Sequence, residues 1–204
     1  MKAFKAFGKD DRGVSAMELA LFLPALFLIM FGTVEGSSYI YANQKVESAA
    51  ANVLNLVNQQ NNPSLSDLKT IAKIVNTVVG DEVAAGAQSQ VIITAMQRDR
   101  VSSDPEKIAD PYVFWQYKFG STGLGASQFK YNGPGDKKKN KLPPGSINGF
   151  EFMEGDQIVA VEVYFTYAAK TTTPFSPKYE RNMYYMNFAR PRKQSFQMRP
   201  DEKI

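Results

Sequence analysis

The run from Val14 to Val34 holds 21 residues and a single formal charge, Glu18. As a helix it is about 32 Å long, the thickness of the hydrocarbon core of a bilayer. It is apolar all round, which argues against a soluble helix with one buried stripe. Lys2, Lys5, Lys9 and Arg12 lie ahead of it. That positive flank places the N-terminus in the cytoplasm and everything from Glu35 onward across the membrane. A secretory signal peptide is a poor description, since its apolar core is only about 7–15 residues and a small-x-small cut site follows it. Here the core is longer, the leader carries Asp10 and Asp11, and no Ala-x-Ala follows directly.

Two residues separate the run from an ordinary anchor. An ionised group near the membrane centre costs roughly 2.5–3.5 kcal/mol on insertion scales, and less near an end, so Glu18 calls for a partner. Gly13, at the junction of charged leader and apolar helix, lacks a side chain and fits a tight protease pocket. A cut after it makes Glu18 the fifth residue of the remaining chain. The alternative is an uncleaved membrane anchor holding an extracytoplasmic scaffold or binding domain. It accounts for length and flanks but leaves Gly13 and Glu18 as coincidences.

A short basic leader ending in Gly13, followed by Val14 and by Glu18 at position five, resembles the class III signal peptides of type IV pilin-like proteins. With Pro24 and the Ala-Leu-Phe-Leu-Pro-Ala-Leu run of residues 20–26, the segment looks most like the TadE/TadF-type minor pseudopilins of the tight-adherence (Flp) pilus system. The resemblance implies removal of residues 1–13 by a prepilin peptidase, methylation of the new terminus at Val14, and roles for Glu18 and Pro24 in assembly. It implies partners among other Tad pseudopilins and the inner-membrane assembly platform. It also implies residence in the bacterial inner membrane before assembly, a place in a surface pilus afterwards, and a part in adhesion. Two positions depart from the pattern: Leu19 stands where Flp major pilins carry an aromatic, and Val14 where type IV pilins commonly do.

Composition narrows the chemistry. Of 204 residues, removal of 13 leaves 191, enough beyond the membrane helix for one modest domain with its own core. Cysteine and histidine are both absent, which removes disulfides, thiolate nucleophiles, the commonest general base and the commonest transition-metal ligand. The leader side chains contribute +2 (three Lys and one Arg against two Asp) of a net +4, so the remainder is too mildly basic to argue for nucleic acid.

Five segments are expected: a leader over 1–13, a membrane helix over 14–34, its continuation over 35–60, a globular α+β domain over 61–190, and a basic tail over 191–204. Beyond Glu35, Tyr39, Ala42, Val46, Ala49, Val53 and Val57 recur at spacings of three and four, an apolar stripe on a polar helix. Gly32 and Gly36 form a small-xxx-small pair at the membrane exit that suits close helix packing or simple tolerance. Asn61-Asn62-Pro63 ends the helix. A second helix is predicted from Leu65 to Val79, with Ser64 as N-cap, Asp67 three residues on, and Gly80 as the stop.

Four strands follow, at Gln90–Met96, Tyr112–Phe119, Gln157–Tyr167 and Arg181–Ala189. With no helices between them they predict an antiparallel sheet. A long helix laid across such a sheet is also the pilin-like fold that the resemblance implies. Alternation sets Val113, Trp115, Tyr117 and Phe119 on one face of the second strand. In the third it sets Val159, Val161, Val163, Phe165 and Tyr167 on one face, with Glu162 and Thr166 on the other. Val161→Asp is therefore expected to be severe and Glu162→Lys mild.

Residues 120–149, rich in Gly, Pro, Asn and Lys, are expected to be the least ordered stretch, with the lysines of 136–141 solvated. Gly120 to Gly125 lacks the Gly-Lys-Ser/Thr end of a phosphate loop. Asp104, Glu106 and Asp110, and again Glu151, Glu154 and Asp156, offer oxygens to Ca²⁺ but without EF-hand spacing, so solvated turns are expected. No serine sits in a nucleophile motif. The expectation is a protein with no catalytic residues, no cofactor and no metal.

Overall fold

The expected long helix forms as one unbroken element. In the computed structural model, which describes residues 12–60, 62–80, 88–99, 110–134, 136–142, 147, 150–168 and 180–192, helix α1 runs Arg12–Gln59. Its 48 residues span about 72 Å. Pro24 lies inside it; lacking an N–H, it leaves one carbonyl of the preceding turn unbonded without ending the helix. Helix α2, Leu65–Gly80, opens with the anticipated reciprocal cap. The Asp67 N–H donates to Ser64 Oγ at 3.2 Å and the Ser64 N–H donates to Asp67 Oδ2 at 3.0 Å. The Ser64 hydroxyl, and after it the Ser64 N–H, hold the Asp67 carboxyl below its usual range.

Strands β1 (Ser89–Gln97), β2 (Tyr112–Gly120), β3 (Gln157–Ala168) and β4 (Glu180–Ala189) form one sheet in the order β2-β1-β3-β4. All three pairings are antiparallel. The fold is thus α+β: a long N-terminal helix, a second helix and a four-stranded antiparallel sheet. Both helices cover the same face of the sheet. Ala42, Val46, Ala49, Ala50, Val53 and Val57 of α1 and Leu68, Ile71, Ala72, Val75 and Val79 of α2 are buried there. They meet Val91, Ile93 and Ala95 of β1, Trp115 of β2, and Val159, Val161, Val163, Phe165 and Tyr167 of β3. Every inward residue assigned to β3 from alternation is in this core.

Strand β2 departs from simple alternation. Ala95 pairs with Trp115 while Met96 pairs with Val113, so Phe114 is an extra, bulged residue. A bulge inserts one residue and shifts the side-chain phase of what precedes it. Val113 consequently faces away from the helices and packs with Met96, Phe129 and Leu142, while Phe114 joins the helix-side core.

The larger correction concerns the other face of the sheet. Far from being loosely ordered, the described part of residues 120–149 folds over that face and closes a second core. Phe129, Leu142 and Ile147 are buried with Met96, Val113, Ile158 and Ala160. The lysines stay exposed, and three of the four are paired: Lys137 with Asp99, Lys139 with Asp136 at 3.0 Å, and Lys141 with Asp110 at 2.6 Å. Arg190, at the end of the globular domain, bonds Asp156 Oδ2 at 3.0 Å and the carbonyl of Glu151 at 3.1 Å. It also stacks over Phe150. Asp104 and Glu106 lie outside the described residues.

Glu162 is the residue most changed by this cover. It is fully buried. Its carboxylate accepts from the Ser127 hydroxyl, from the Gln128 N–H at 3.0 Å and from the Tyr184 hydroxyl at 3.1 Å. Burial and then the neighbouring carboxylate push the Tyr184 phenol well above its usual range, so it stays a donor. Around it, Gln90 accepts from the N–H groups of Leu124 (3.1 Å) and Gly125 (3.3 Å) and donates to the Gly125 carbonyl (3.1 Å). The Tyr164 hydroxyl donates to the Ala126 carbonyl at 2.6 Å. Around Glu162 the side chains of this face are hydrophilic, and the loop backbone supplies their hydrogen bonds. At Gly125 a Cβ would lie 2.1 Å from the Tyr164 ring, which is why the loop carries no side chain where it crosses that tyrosine.

Two substitutions test the two faces. Val161→Asp buries an unpaired carboxylate in the helix-side core and is expected to lose several kcal/mol, on the order of the stability of a small domain. Glu162→Lys sets a cation against three donors in a water-free site, and about 3–5 kcal/mol is expected to be lost. Glu162→Gln, which keeps an acceptor oxygen, is expected to cost less. Denaturant unfolding of the full chain in detergent measures all three. A Glu162→Lys protein as stable as the parent contradicts the buried network.

Candidate functional site

Helix α1 has two halves with opposite surroundings. From Met17 to Met30 its large apolar side chains stand exposed, among them Leu19, Leu21, Phe22, Leu26, Phe27, Leu28 and Ile29. None of the most apolar window is buried, and this is the one helix among the described residues long and apolar enough to cross a membrane. Leaving this surface in water is unfavourable by about 25 cal/mol per Å² of apolar area. It therefore requires lipid or other apolar helices. Glu18 is exposed in the same stretch and has no hydrogen bond or ion pair among the described residues.

The polar groups of the apolar half are otherwise managed within the helix. The Thr33 hydroxyl donates to the Ile29 carbonyl, and the Ser37 hydroxyl to the Thr33 carbonyl at 2.7 Å. Such back-bonding satisfies a hydroxyl where no water is present. Gly32 and Gly36 are exposed, and a Cβ built on either meets nothing within 4 Å. Among the described residues neither glycine is packed against another part of the chain. Pro24 is likewise exposed. Gly13 and Val14 lie in the first turn of α1. The structure thus strings Gly13, Val14, Glu18, Pro24, Gly32 and Gly36 along one rod and brings no two of them together into a pocket.

The second half of α1 is clamped to the sheet, and sequence reasoning missed the clamp. The Tyr167 hydroxyl donates to Glu35 Oε1 at 2.7 Å, and the Tyr185 hydroxyl donates to Glu47 Oε1 at 2.6 Å. Tyr39 packs edge-on against Tyr167, with ring centroids 5.5 Å apart, and Arg181 lies over the Tyr39 ring. Burial, then the Glu35 carboxylate, drive the Tyr167 phenol far above its ordinary range. The Glu47 bond, ahead of burial, raises that of Tyr185. Both tyrosines therefore stay protonated and donating across the physiological range. The sequence separations are 132 and 138 residues, too great for any local pattern to reveal. The one hint is that Glu35 follows directly on the apolar run.

Among the described residues no group of three or more acids converges to hold a metal ion. Asp156 is engaged by Arg190 and by the Met153 N–H at 2.8 Å, and Asp110 by Lys141.

A family model described as TadE-like protein matches residues 13–53. The match begins at Gly13, takes in Glu18, Pro24, Gly32 and Gly36, and ends inside the docked stripe of α1. The resemblance drawn from the leader and the apolar run is borne out over that stretch. No curated protein and no solved structure matches the chain.

The clamp is testable. Tyr167→Phe deletes a bond to a carboxylate that stays partly desolvated, and a loss of about 1.5–3 kcal/mol is expected. Tyr185→Phe, which removes a more exposed bond, is expected to cost less. Combining Tyr167→Phe with Glu35→Gln in a double-mutant cycle of thermal unfolding should give a non-additive total. Strict additivity means the two groups do not interact.

Proposed function

We propose that this protein is a minor pseudopilin, a structural or assembly subunit of a Tad/Flp-type IV pilus, cut after Gly13 by a prepilin peptidase. The observation that carries the reading is the TadE-like match over residues 13–53, which starts at the glycine where the charged leader ends. The physical character of α1 supports it. An exposed apolar rod attached to a folded domain suits a subunit held in the inner membrane before assembly and packed among other such helices afterwards. The leader lysines favour a cytoplasmic N-terminus, which sets the sheet domain on the periplasmic or extracellular side. Its partners are then the peptidase, other Tad pseudopilins and the inner-membrane assembly platform. The role is structural rather than catalytic and contributes to pilus biogenesis and surface adhesion.

Glu18 is the residue through which assembly acts. It lies about 6 Å along the helix from Val14. A neighbouring subunit displaced by roughly one turn brings the α-amino group of its own Val14 beside this carboxylate. In an apolar bundle that pairing offsets much of the cost of burying either charge and sets the stagger between subunits. An unmatched carboxylate is worse than none, so deletion of Glu18 spares insertion and folding and affects association alone. Gly32 and Gly36 leave room for a helix to approach closely at the membrane exit.

Intact mass of the membrane-extracted protein tests processing. Loss of residues 1–13 is expected where the peptidase is active, and retention is expected for Gly13→Val, whose side chain crowds the cut site. A wild-type chain that keeps Met1 beside an active peptidase supports the uncleaved anchor instead. Glu18→Ala is expected to be inserted, folded and cut normally, yet to be lost from co-purification with the other pilus components. Its full recovery with them removes Glu18 from assembly.

A further inference from the structure

The unbroken helix leaves no linker between the apolar half of α1 and the sheet, so their relative height is fixed. Glu35, the first residue after the apolar run, accepts the Tyr167 hydroxyl at 2.7 Å. Tyr167 pairs with Arg181, and Ala168 with Glu180. The end of β3 and the start of β4 therefore stand at the level where α1 leaves the hydrocarbon.

Three large side chains ring the helix just beyond that level. Tyr39, Ile40 and Tyr41 follow one another about 100° apart around its axis. Ile40 and Tyr41 are exposed, and Tyr39 lies against Tyr167. The ring starts about 7.5 Å past Val34, and helical side chains lean towards the N-terminus, here towards the membrane. A headgroup layer is about 5–8 Å deep on each side of the hydrocarbon, and tyrosine concentrates there. Cations lie over two of the rings: Arg181 over Tyr39 at 5.5 Å from the centroid, and Lys45 over Tyr41 at 4.8 Å. Arg181 is exposed and has neither hydrogen bond nor ion pair among the described residues. Its guanidinium rests one face on the ring and keeps its N–H edge for an oxyanion. Glu180, beside it in sequence, and Glu35, bonded to its strand partner Tyr167, supply the opposite sign. A surface of mixed sign suits a zwitterionic headgroup better than a purely anionic one.

We propose that this end of the sheet, with the collar from Tyr39 to Tyr41, docks on the headgroup layer of the phospholipid bilayer that α1 crosses, and that Arg181 holds a lipid phosphate. The domain is then seated on its membrane rather than carried above it. The inference rests on α1 spanning a bilayer and is independent of leader cleavage and of Glu18.

The chain has no cysteine, so a single introduced cysteine carries one bimane fluorophore. Full-length Leu23→Cys, Asn182→Cys and Gln59→Cys proteins are placed in phosphatidylcholine nanodiscs that contain lipid with a nitroxide on the headgroup or at the acyl-chain end. The acyl-chain nitroxide is expected to quench the Leu23→Cys label; no quenching there overturns the spanning helix and the docking with it. The headgroup nitroxide is expected to quench Asn182→Cys and to spare Gln59→Cys, about 36 Å farther along α1 than Glu35. Quenching at Leu23→Cys with none at Asn182→Cys leaves the membrane helix standing and overturns the docking. Thermal unfolding then tests Arg181, in phosphatidylcholine nanodiscs and in digalactosyldiacylglycerol nanodiscs, whose headgroup has no phosphate. The parent is expected to melt about 4 °C higher in the phospholipid, Arg181→Lys to keep part of that difference, and Arg181→Ala to lose it. If Arg181→Ala lowers both melting temperatures equally, the arginine only packs on Tyr39 and the phosphate contact is overturned. Recovery of the difference by inorganic phosphate in the galactolipid gives the site to a free anion and overturns the lipid assignment.

Discussion

Burial of the Ala42–Val57 stripe of α1 against β3 and β4 is the contact on which the rest of the molecule depends. Ala42, Ala49 and Ala50 let the helix lie close to the sheet, and Val46, Val53 and Val57 fill the space between. Each buried valine removes enough apolar area from water to contribute about 1.5 kcal/mol. Without this contact the inner face of β3, a row of valines and aromatics, is left in water. The helix beyond Glu35, polar on most of its surface, then has nothing to hold it in place. Two carboxylate–tyrosine bonds, Glu35 with Tyr167 and Glu47 with Tyr185, fasten the same interface at separate heights.

The helices, the sheet and the inner core were legible because they rest on periodicity. The stripe from Tyr39 to Val57 repeats at helical spacing, and the inner-face residues Val159 to Tyr167 of β3 recur at every second position, so residue type alone assigns both inward faces. Position-specific failures have particular causes. Alternation sets Val113 on the face of Trp115, but a bulge at Phe114, which leaves no mark in the alternation, turns it to the other. Glu162→Lys is expected from the sequence to be mild because an acid opposite a valine face resembles an ordinary surface residue. Nothing local announces that Ser127, Gln128 and Tyr184 converge on it. Of the candidate site, the membrane half of α1 was plain from composition, whereas the tyrosine clamp joins residues more than 130 positions apart.

The outer face is covered by two means, an apolar cluster around Phe129, Leu142 and Ile158 and a set of polar bonds beside it. Over much of its area the cover is held by side chains that imitate a neighbouring strand: Gln90 exchanges bonds with the backbone of Leu124 and Gly125, and Tyr164 with the carbonyl of Ala126. Such an arrangement trades hydrophobic gain for directionality, since each bond holds only in one register. A polar network pays off only when every member is satisfied. That condition makes Glu162, with three donors and no counter-cation among them, both the centre of the cover and its most vulnerable point.

The continuity of α1 has a rotational consequence. Glu35 is fixed to the sheet through Tyr167, and it stands 17 positions along an uninterrupted helix from Glu18. At about 100° per residue, that count sets the compass bearing of the Glu18 carboxylate relative to the sheet. Adding one residue between them would swing the bearing by about 100° and raise it by about 1.5 Å, whereas adding seven would restore it to within roughly 20°. The length of the segment therefore works as a dial: many apolar sequences would serve between Glu18 and Glu35, but few lengths would.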